Sequence, residues 1–182
     1  VGATGAYTGA FEYELNLRVA LLLRDELIRR GYSVVMIRET NNVNISNMER
    51  AIMANEADVD ITVRIHANSH TDDSAYGAET LAPSSGNAYC GDIAAESQEL
   101  SRCVLTAYCE ATGMNNRGVK INDSMTGINW CEMPVTIVEL GFMSNPTDDT
   151  NMQDDAYQDK KPLETIYTDL SSLNDYFGTL EQ

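Results

Sequence analysis

Helical and strand-like segments alternate along this 182-residue chain, and that alternation limits the possible folds more than any other feature. Apolar side chains recur at helical spacing from about residue 12 to residue 30, and Gly31 follows as a helix stop signal. The β-branched, apolar residues 33–38 then predict a buried strand. The pattern predicts an α/β fold, in which a single three-layer domain has a mostly parallel central sheet flanked by helices.

The alternation continues through the rest of the chain. Ser46 and Glu49 form a capping box that predicts a second helix. Further strands are predicted at residues 61–66, 77–81 and 134–140. A third helix is predicted to end near Gly113, and apolar spacing predicts a closing helix. The apolar positions of that closing helix are Leu163, Ile166, Leu170 and Leu173. No linker or repeat divides the chain, so residues 1–182 are expected to form one domain.

Charge and hydropathy exclude some classes of partner. The formal net charge is -16, from 28 acidic and 12 basic residues, so phosphate backbones would be repelled and nucleic acid is excluded as a partner. No apolar run approaches the ~20 residues that cross a bilayer, which predicts no membrane span. The start of the chain lacks the basic-then-apolar pattern of a signal peptide, so any export signal is expected upstream of Val1.

The four cysteines lack the paired spacing of a structural zinc site. Cys103 and Cys109 are predicted to share one helix, six residues apart and therefore on different faces, which argues against a bridge between them. Buried thiols are the simpler interpretation. An even count does not prove disulfides, so the sequence leaves the disulfide state of Cys90, Cys103, Cys109 and Cys131 open.

Two residues with catalytic chemistry are predicted at or near the carboxyl ends of strands, where open α/β sheets place their sites. These are His66 and Glu139, and a second carboxylate, Glu12, is available where the first helix begins. An imidazole and a carboxylate in this arrangement can serve as a metal ligand and a general base. A lone histidine is more often a hydrogen-bonded structural residue, so spacing alone leaves both interpretations open.

Four segments resemble, in the same order along the chain, the zinc-dependent catalytic domain family of N-acetylmuramoyl-L-alanine amidases (amidase type 3). Residues 12–17, Glu-Tyr-Glu-Leu-Asn-Leu, resemble the family's Glu-x-x-Leu-Asn-Leu segment. Residues 64–68, Arg-Ile-His-Ala-Asn, resemble its Ile-His-Ala-Asn segment, and residues 134–145 resemble its Pro-x-x-x-x-Glu-x-Gly-Phe-x-Ser-Asn segment. Arg50 and Asn55 match the family's Arg-x-x-x-Ala-Asn helix. The resemblance covers nearly the whole chain.

The resemblance implies a role for each matching residue. Glu12 and His66 correspond to zinc ligands, and Glu139 corresponds to the catalytic carboxylate. The implied cofactor is Zn²⁺, and the implied reaction is hydrolysis of the amide between N-acetylmuramic acid and the L-alanine of the stem peptide in peptidoglycan. A three-ligand zinc site leaves a position for the water that such a reaction needs.

One segment of the family pattern is absent. The family's first zinc ligand is a histidine in an Asp-x-Gly-His segment at the end of its opening strand, whereas this chain begins with what resembles the glycine-rich stretch after it. We therefore expect the first strand to be missing and the third ligand to lie upstream of Val1, in an N-terminally truncated catalytic domain. The other histidine, His70, is an alternative ligand, but it lies in a polar loop where an exposed histidine is ordinary.

Three further residues are candidates for substrate binding. Asn68 either orients His66 or contacts substrate, although a turn-forming asparagine is an equal alternative. Arg64 is unusual between apolar neighbours, and it either pairs with an acidic residue or reaches a stem-peptide carboxylate. Trp130 offers an aromatic face for a sugar or a peptide, or else packs in the core.

The resemblance implies a bacterial, secreted autolysin-type hydrolase that acts outside the cell or in the cell wall, with a separate wall-binding domain as a further expectation. Two alternatives use the same fold. A non-catalytic module would bind wall fragments or a partner protein, and a zinc carboxypeptidase would cut within the stem peptide by similar chemistry. Zinc uptake separates the module from the enzymes, and product mass separates the two enzymes.

Overall fold

The computed structural model of the protein describes residues 2–154, in which five α-helices and four strands follow one another. The helices are α1 (Glu12–Arg29), α2 (Asn47–Glu56), α3 (Ala94–Thr112), α4 (Thr126–Asn129) and α5 (Pro146–Gln153). The strands are β1 (Thr62–Asn68), β2 (Ala78–Ala82), β3 (Asn116–Ile121) and β4 (Val135–Phe142). The predicted closing helix lies outside the described residues. No helix of residues 2–154 is both long and apolar enough to span a membrane.

The four strands form one sheet in the order β1-β4-β2-β3. β1 pairs with β4 in parallel, and β2 pairs with β3 in parallel. β2 and β4 are antiparallel, so the prediction of a mostly parallel sheet holds for two pairings and the sheet is mixed. Residues 69–77, which connect β1 to β2, contain no helix and are too few for the dozen or more residues of a parallel crossover, so β2 runs back in the opposite direction.

Helices cover both faces of the sheet, which confirms the three-layer α/β prediction. On one face, α1, α3 and α5 bury apolar side chains against β1 and β4, including Leu15, Leu100, Val104, Tyr108 and Met152. On the other face, α2 and α4 bury Ala51, Ala54 and Ile128 against Val135 and Ile137 of β4. The four cysteines are all buried free thiols, so the structure agrees with the simpler of the two interpretations that the sequence left open.

Local signals at helix ends are confirmed. Ser46 and Glu49 form the reciprocal hydrogen bonds of a capping box at the start of α2. α3 ends at Thr112, and the capping residue Gly113 has a φ of 73°, in the left-handed region that favours glycine. These ends depend only on neighbouring residues, so they are readable from sequence.

The predicted strand at residues 33–38 is wrong. These residues form no strand, although part of the segment lies alongside β1 across an apolar cavity of about 380 Å³. A strand requires a neighbour to pair its backbone groups, and β1 uses one edge for β4 while its other edge has no strand partner in residues 2–154. Residues 2–11 contribute one isolated bridge, Thr4 with Phe11, and no strand of the sheet.

Two aspartates in the first turn of α5 accept hydrogen bonds from nearby loops and from β4. Asp149 is fully buried and accepts hydrogen bonds from the backbone N–H groups of Tyr7 (3.0 Å) and Thr8 (2.9 Å) and from the Thr8 hydroxyl (2.7 Å). Asp148 accepts from the N–H groups of Gly77 and Phe142. The carboxylates therefore satisfy buried donors, and a helix N-terminus favours their charge.

Substitution of Asp149 by Asn is expected to destabilise the protein by about 1–3 kcal/mol, because one amide NH₂ then faces the buried donors of the loop. Urea unfolding measures the effect. Asp73→Asn, in an exposed loop, is the matched control and should change the free energy of unfolding little. Equal stability of the two variants would contradict the account of this loop.

Candidate active site

Three residues with acid, base or ligand chemistry lie side by side across three strands. In the strand pairing, His66 of β1 is opposite Glu139 of β4, and Glu139 is opposite Glu79 of β2. Residues directly opposite each other across strands project from the same face of the sheet. An imidazole and two carboxylates therefore meet on one face, near the carboxyl ends of β1 and β4.

Glu12 joins this group from the start of α1. Its Oε1 lies 3.0 Å from Nδ1 of His66 and accepts a hydrogen bond from Asn16 Nδ2 at 3.2 Å, and its Oε2 accepts from the Ala3 N–H at 2.7 Å. Burial alone would raise the pKa of Glu12, but the hydrogen bonds with His66, Ala3 and Asn16 outweigh it and lower the pKa to about 2. Glu12 is therefore a carboxylate at neutral pH.

The surroundings of Glu139 raise its pKa, whereas those of Glu12 lower the pKa of Glu12. Burial raises its pKa to about 7, the His66 charge opposes that rise, and the carboxylates of Glu12 and Glu79 add to it. Its Oε2 is buried and has no hydrogen-bond partner within the described part of the chain. A carboxyl group with a pKa near neutral and an unused oxygen is suited to accept a proton and return it.

Glu12 and His66 fit two positions of a zinc site. Zn–O and Zn–N bonds are about 2.0–2.2 Å long, so an oxygen and a nitrogen 3.0 Å apart can reach one ion together. The His66 side chain is 36% exposed, which leaves it accessible to a metal and to substrate. No group of three or more His, Cys, Asp or Glu side chains in residues 2–154 could hold a metal, so Glu12 and His66 form no complete cluster there.

Asn68, predicted as a substrate or orienting residue, is hydrogen-bonded within the site. Its Nδ2 donates to Glu79 Oε1 at 3.0 Å, and Arg117 Nε donates to Glu79 Oε2 at 2.9 Å. Glu79 is held between the two, next to Glu139. Sequence reasoning missed both Glu79 and Arg117, because their strands were weakly predicted or not predicted at all.

The other predicted residues occupy different settings. Arg64 donates from Nη2 to Asn47 Oδ1 at 2.7 Å, and burial lowers the pKa of Arg64. Trp130 lies at the end of α4 and is 49% exposed, so it is not packed in the core. His70 lies in the exposed loop after β1, where its Nδ1 accepts from the Asp72 N–H at 3.0 Å.

This α/β domain gathers an imidazole and three carboxyl groups near the ends of its strands, and the carboxyl group of Glu139 has a pKa near neutral. Such a set of side chains is suited to hydrolytic chemistry. Residues 1–168 match the family model described as N-acetylmuramoyl-L-alanine amidase, and the chain belongs to this family.

Individual relatives agree with this assignment. The chain is 30% identical over 159 residues to the N-acetylmuramoyl-L-alanine amidase LytC of Bacillus subtilis strain 168, which covers 87% of this chain and 30% of LytC. It is 31% identical over 174 residues to the uncharacterised protein YqiI of the same strain, covering 96% of this chain and 79% of YqiI. The chain thus spans under a third of the length of LytC.

Among solved structures, an N-acetylmuramoyl-L-alanine amidase from Clostridium difficile 630 superposes with a TM-score of 0.85 at 28% identity. The superposition covers 97% of this chain and 91% of that one. The shared fold thus extends over nearly all of both chains.

Proposed function

We propose that the protein is a zinc-dependent peptidoglycan amidase that hydrolyses the amide between the lactyl group of N-acetylmuramic acid and the L-alanine of the stem peptide. The observation that carries the proposal is the contact between Glu12 and His66 beside Glu139, a buried carboxyl group with a pKa near neutral. Membership of the amidase family and the likeness to LytC support the choice of substrate.

Each residue of the site has a separate task. Glu12 and His66 would hold the ion, with Asn16 and the Ala3 N–H fixing the Glu12 carboxylate. Zinc, when bound, polarises the scissile carbonyl and lowers the pKa of water to ~7. Glu139 accepts the proton of the attacking water and delivers it to the nitrogen of the leaving L-alanine. The neighbouring Glu79 helps to keep the pKa of Glu139 high enough for the second transfer.

The proposed zinc site needs a third protein ligand. Catalytic zinc sites use three protein ligands and one water, and residues 2–154 supply no third donor to Glu12 and His66.

The site favours an enzyme over a binding module with the same fold. A module that only binds wall fragments has no use for a buried carboxylate oxygen without a hydrogen-bond partner, which is costly to retain. We place the enzyme outside the cell or in the cell wall. A separate wall-binding domain would offset the repulsion between a domain of net charge -16 and anionic wall polymers.

Removal of metal tests the proposal. Dialysis against a chelator is expected to abolish clearing of a suspension of purified cell walls, and one equivalent of zinc should restore it, because the water cannot be activated without the ion. The turbidity assay is run with magnesium as the control, since Mg²⁺ prefers six oxygen ligands. Full activity after exhaustive chelation would contradict the proposal.

A further inference from the structure

Exposed aromatic side chains gather in the segment that leads into α1. Six aromatic residues of the described chain are exposed, and three of them, Tyr7, Phe11 and Tyr13, lie within residues 7–13. The rings of Phe11 and Tyr13 stack on each other, with centroids 5.5 Å apart and an angle of 17° between their planes. Phe11 is 44% exposed and Tyr13 is 40% exposed. Single exposed apolar residues are ordinary, whereas a cluster of them is typical of a binding surface.

The segment that carries the stacked pair is held in place by hydrogen bonds. The Gly5 N–H donates to the Ala10 carbonyl at 2.8 Å, which closes the segment on itself. The Ala6 N–H donates to the Met143 carbonyl, just after β4, at 2.9 Å, and the buried Asp149 accepts from the next two N–H groups of the segment. The two rings are therefore presented on a fixed backbone, so little conformational entropy is lost when a ligand binds to them.

The stacked pair adjoins a proposed zinc ligand. Phe11 and Tyr13 are the two chain neighbours of Glu12, so their Cα atoms each lie about 3.8 Å from that of Glu12. The Glu12 carboxylate contacts His66, which is opposite Glu139 in the sheet. The pair is thus part of the rim of the proposed active site.

The chemistry of the substrate determines which part of it reaches this rim. In the proposed reaction the scissile carbonyl belongs to the lactyl group, and an ether bond joins that group directly to the sugar ring. The sugar ring therefore lies close to the zinc ligands whenever the amide does. A pyranose ring carries C–H bonds on its faces, and stacking such a face on an aromatic ring removes apolar surface from water.

Charge beside the pair also favours the sugar. The Tyr13 hydroxyl lies 3.4 Å from Oε1 of Glu14, which is exposed. A carboxylate in this place can accept hydrogen bonds from sugar hydroxyl groups, and it repels the carboxylates of a peptide. The pair therefore fits the uncharged, hydroxyl-rich half of the substrate better than the peptide half.

The other three exposed aromatic residues lie elsewhere. Trp130 precedes the start of β4, and Tyr89 follows the end of β2, which is antiparallel to β4. Both therefore lie at the end of the sheet opposite to the proposed site. The Tyr76 carbonyl accepts a hydrogen bond from Arg117 of β3, at the opposite edge of the sheet from β1, which Glu12 contacts.

We propose that Phe11 and Tyr13 form a platform on which the sugar ring of N-acetylmuramic acid stacks when the scissile amide lies beside His66 and Glu139. The inference rests on the proposed function, since that function fixes the bond that is cut. The platform makes the enzyme selective for an amide that carries the sugar over the same amide on a bare lactyl group.

Two matched substrates test the platform. N-acetylmuramoyl-L-alanyl-D-isoglutamine carries the sugar, and D-lactoyl-L-alanyl-D-isoglutamine has the same scissile amide without it. A zinc-loaded protein that carries all three zinc ligands is expected to have a higher kcat/KM for the muramoyl substrate. The double variant Phe11→Ala, Tyr13→Ala should reduce that kcat/KM by about 10-fold, as for loss of a stacked apolar face, and leave kcat/KM for the lactoyl substrate nearly unchanged. The exchange Phe11→Tyr, Tyr13→Phe keeps both rings and should keep the preference.

Tyr89→Ala removes an exposed ring far from the site and should leave kcat/KM for both substrates unchanged. The platform is overturned if wild-type protein hydrolyses both substrates equally, or if the double alanine variant reduces hydrolysis of both by the same factor. It is also overturned if Trp130→Ala removes the preference instead. Should the double alanine variant fail to fold, Phe11→Leu with Tyr13→Leu, which keeps apolar side chains without flat rings, decides the question.

Binding of the methyl ester of N-acetylmuramic acid, an uncharged probe, separates this inference from the proposed function. It is followed by NMR in chelator, where no hydrolysis is needed. Binding that the double alanine variant weakens about 10-fold, in a protein that hydrolyses neither substrate, would refute the proposed function and support the platform. Equal hydrolysis of both substrates, with binding of the probe unchanged in the variant, would refute the platform and leave the function standing.

Discussion

Substitution of Glu139 by Gln is expected to reduce hydrolysis of peptidoglycan by about 10²–10⁴-fold, because it removes the group that transfers the proton. Zinc uptake should be nearly unchanged, since Glu12 and His66 are untouched. Glu132→Gln, an exposed position just before β4, is the matched control and should keep full activity. Retention of near-full activity by the Glu139 variant would exclude the assigned role.

The Glu139→Gln substitution is also expected to change how the free energy of unfolding depends on pH. The folded protein holds the Glu139 proton with a pKa of about 7, against an ordinary value of 4.5, so ionisation of Glu139 costs stability as pH rises through about 7. Glutamine carries no charge at any pH. In chelator, the variant should therefore exceed wild type in stability above pH 7 by about 3 kcal/mol, and the difference should vanish below pH 4.5. Urea unfolding across this range measures it, and parallel pH profiles would contradict the buried setting of Glu139.

Substitution of His66 by Ala is expected to weaken zinc binding strongly and, with it, to abolish hydrolysis. Loss of an outer hydrogen-bond partner costs about 10–100-fold in metal affinity, and loss of a direct ligand should cost more. His70→Ala is the matched control, because His70 lies in an exposed loop and should contribute no ligand. Calorimetric zinc titration of both variants measures the effect. Equal zinc affinity in the two variants would show that His66 is not a ligand.

The sequence predicted those elements that are specified by local signals. α1, α2 and α3 were readable from apolar spacing, a capping box and Gly113, and β4 from a run of β-branched residues. β3 was not, since its residues are mostly polar, Gly118 has a φ of 82°, and its only strand partner in the described sheet is β2. β3 forms because β2 pairs with it, and β2 is too far away in the sequence for a local pattern to indicate that pairing.

The wrong strand prediction at residues 33–38 also arises because strand formation depends on a pairing partner. The segment has strand-forming residues but no strand beside it to pair with. Residue propensity indicates that a segment can form a strand, but the strand forms only when another strand pairs with it. The direction of β2 was readable from the short connection at residues 69–77, because a helix-free link of that length excludes a parallel crossover.

The site was partly readable. The positions of His66 and Glu139 near strand ends followed from the pattern, and the structure places them opposite each other. The contact between Glu12 and His66 depends on how α1 packs, so only the family resemblance indicated it. Glu79 carries no sequence signal, because its place beside Glu139 is set by strand register. The roles of these residues, and those of Asn68 and Trp130, stay predictions.

The mass of the products from a defined muropeptide tests the central claim most directly. A zinc-loaded protein that carries all three zinc ligands, incubated with a disaccharide that bears its full stem peptide, is expected to yield two products by hydrolysis of one amide bond. One is the intact peptide with a free L-alanine amino group, and the other is the disaccharide with a free lactyl carboxylate. Release of a single carboxyl-terminal amino acid would instead identify a carboxypeptidase, and an unchanged muropeptide would identify a non-catalytic module. Either result would contradict the assignment of this site as an amidase.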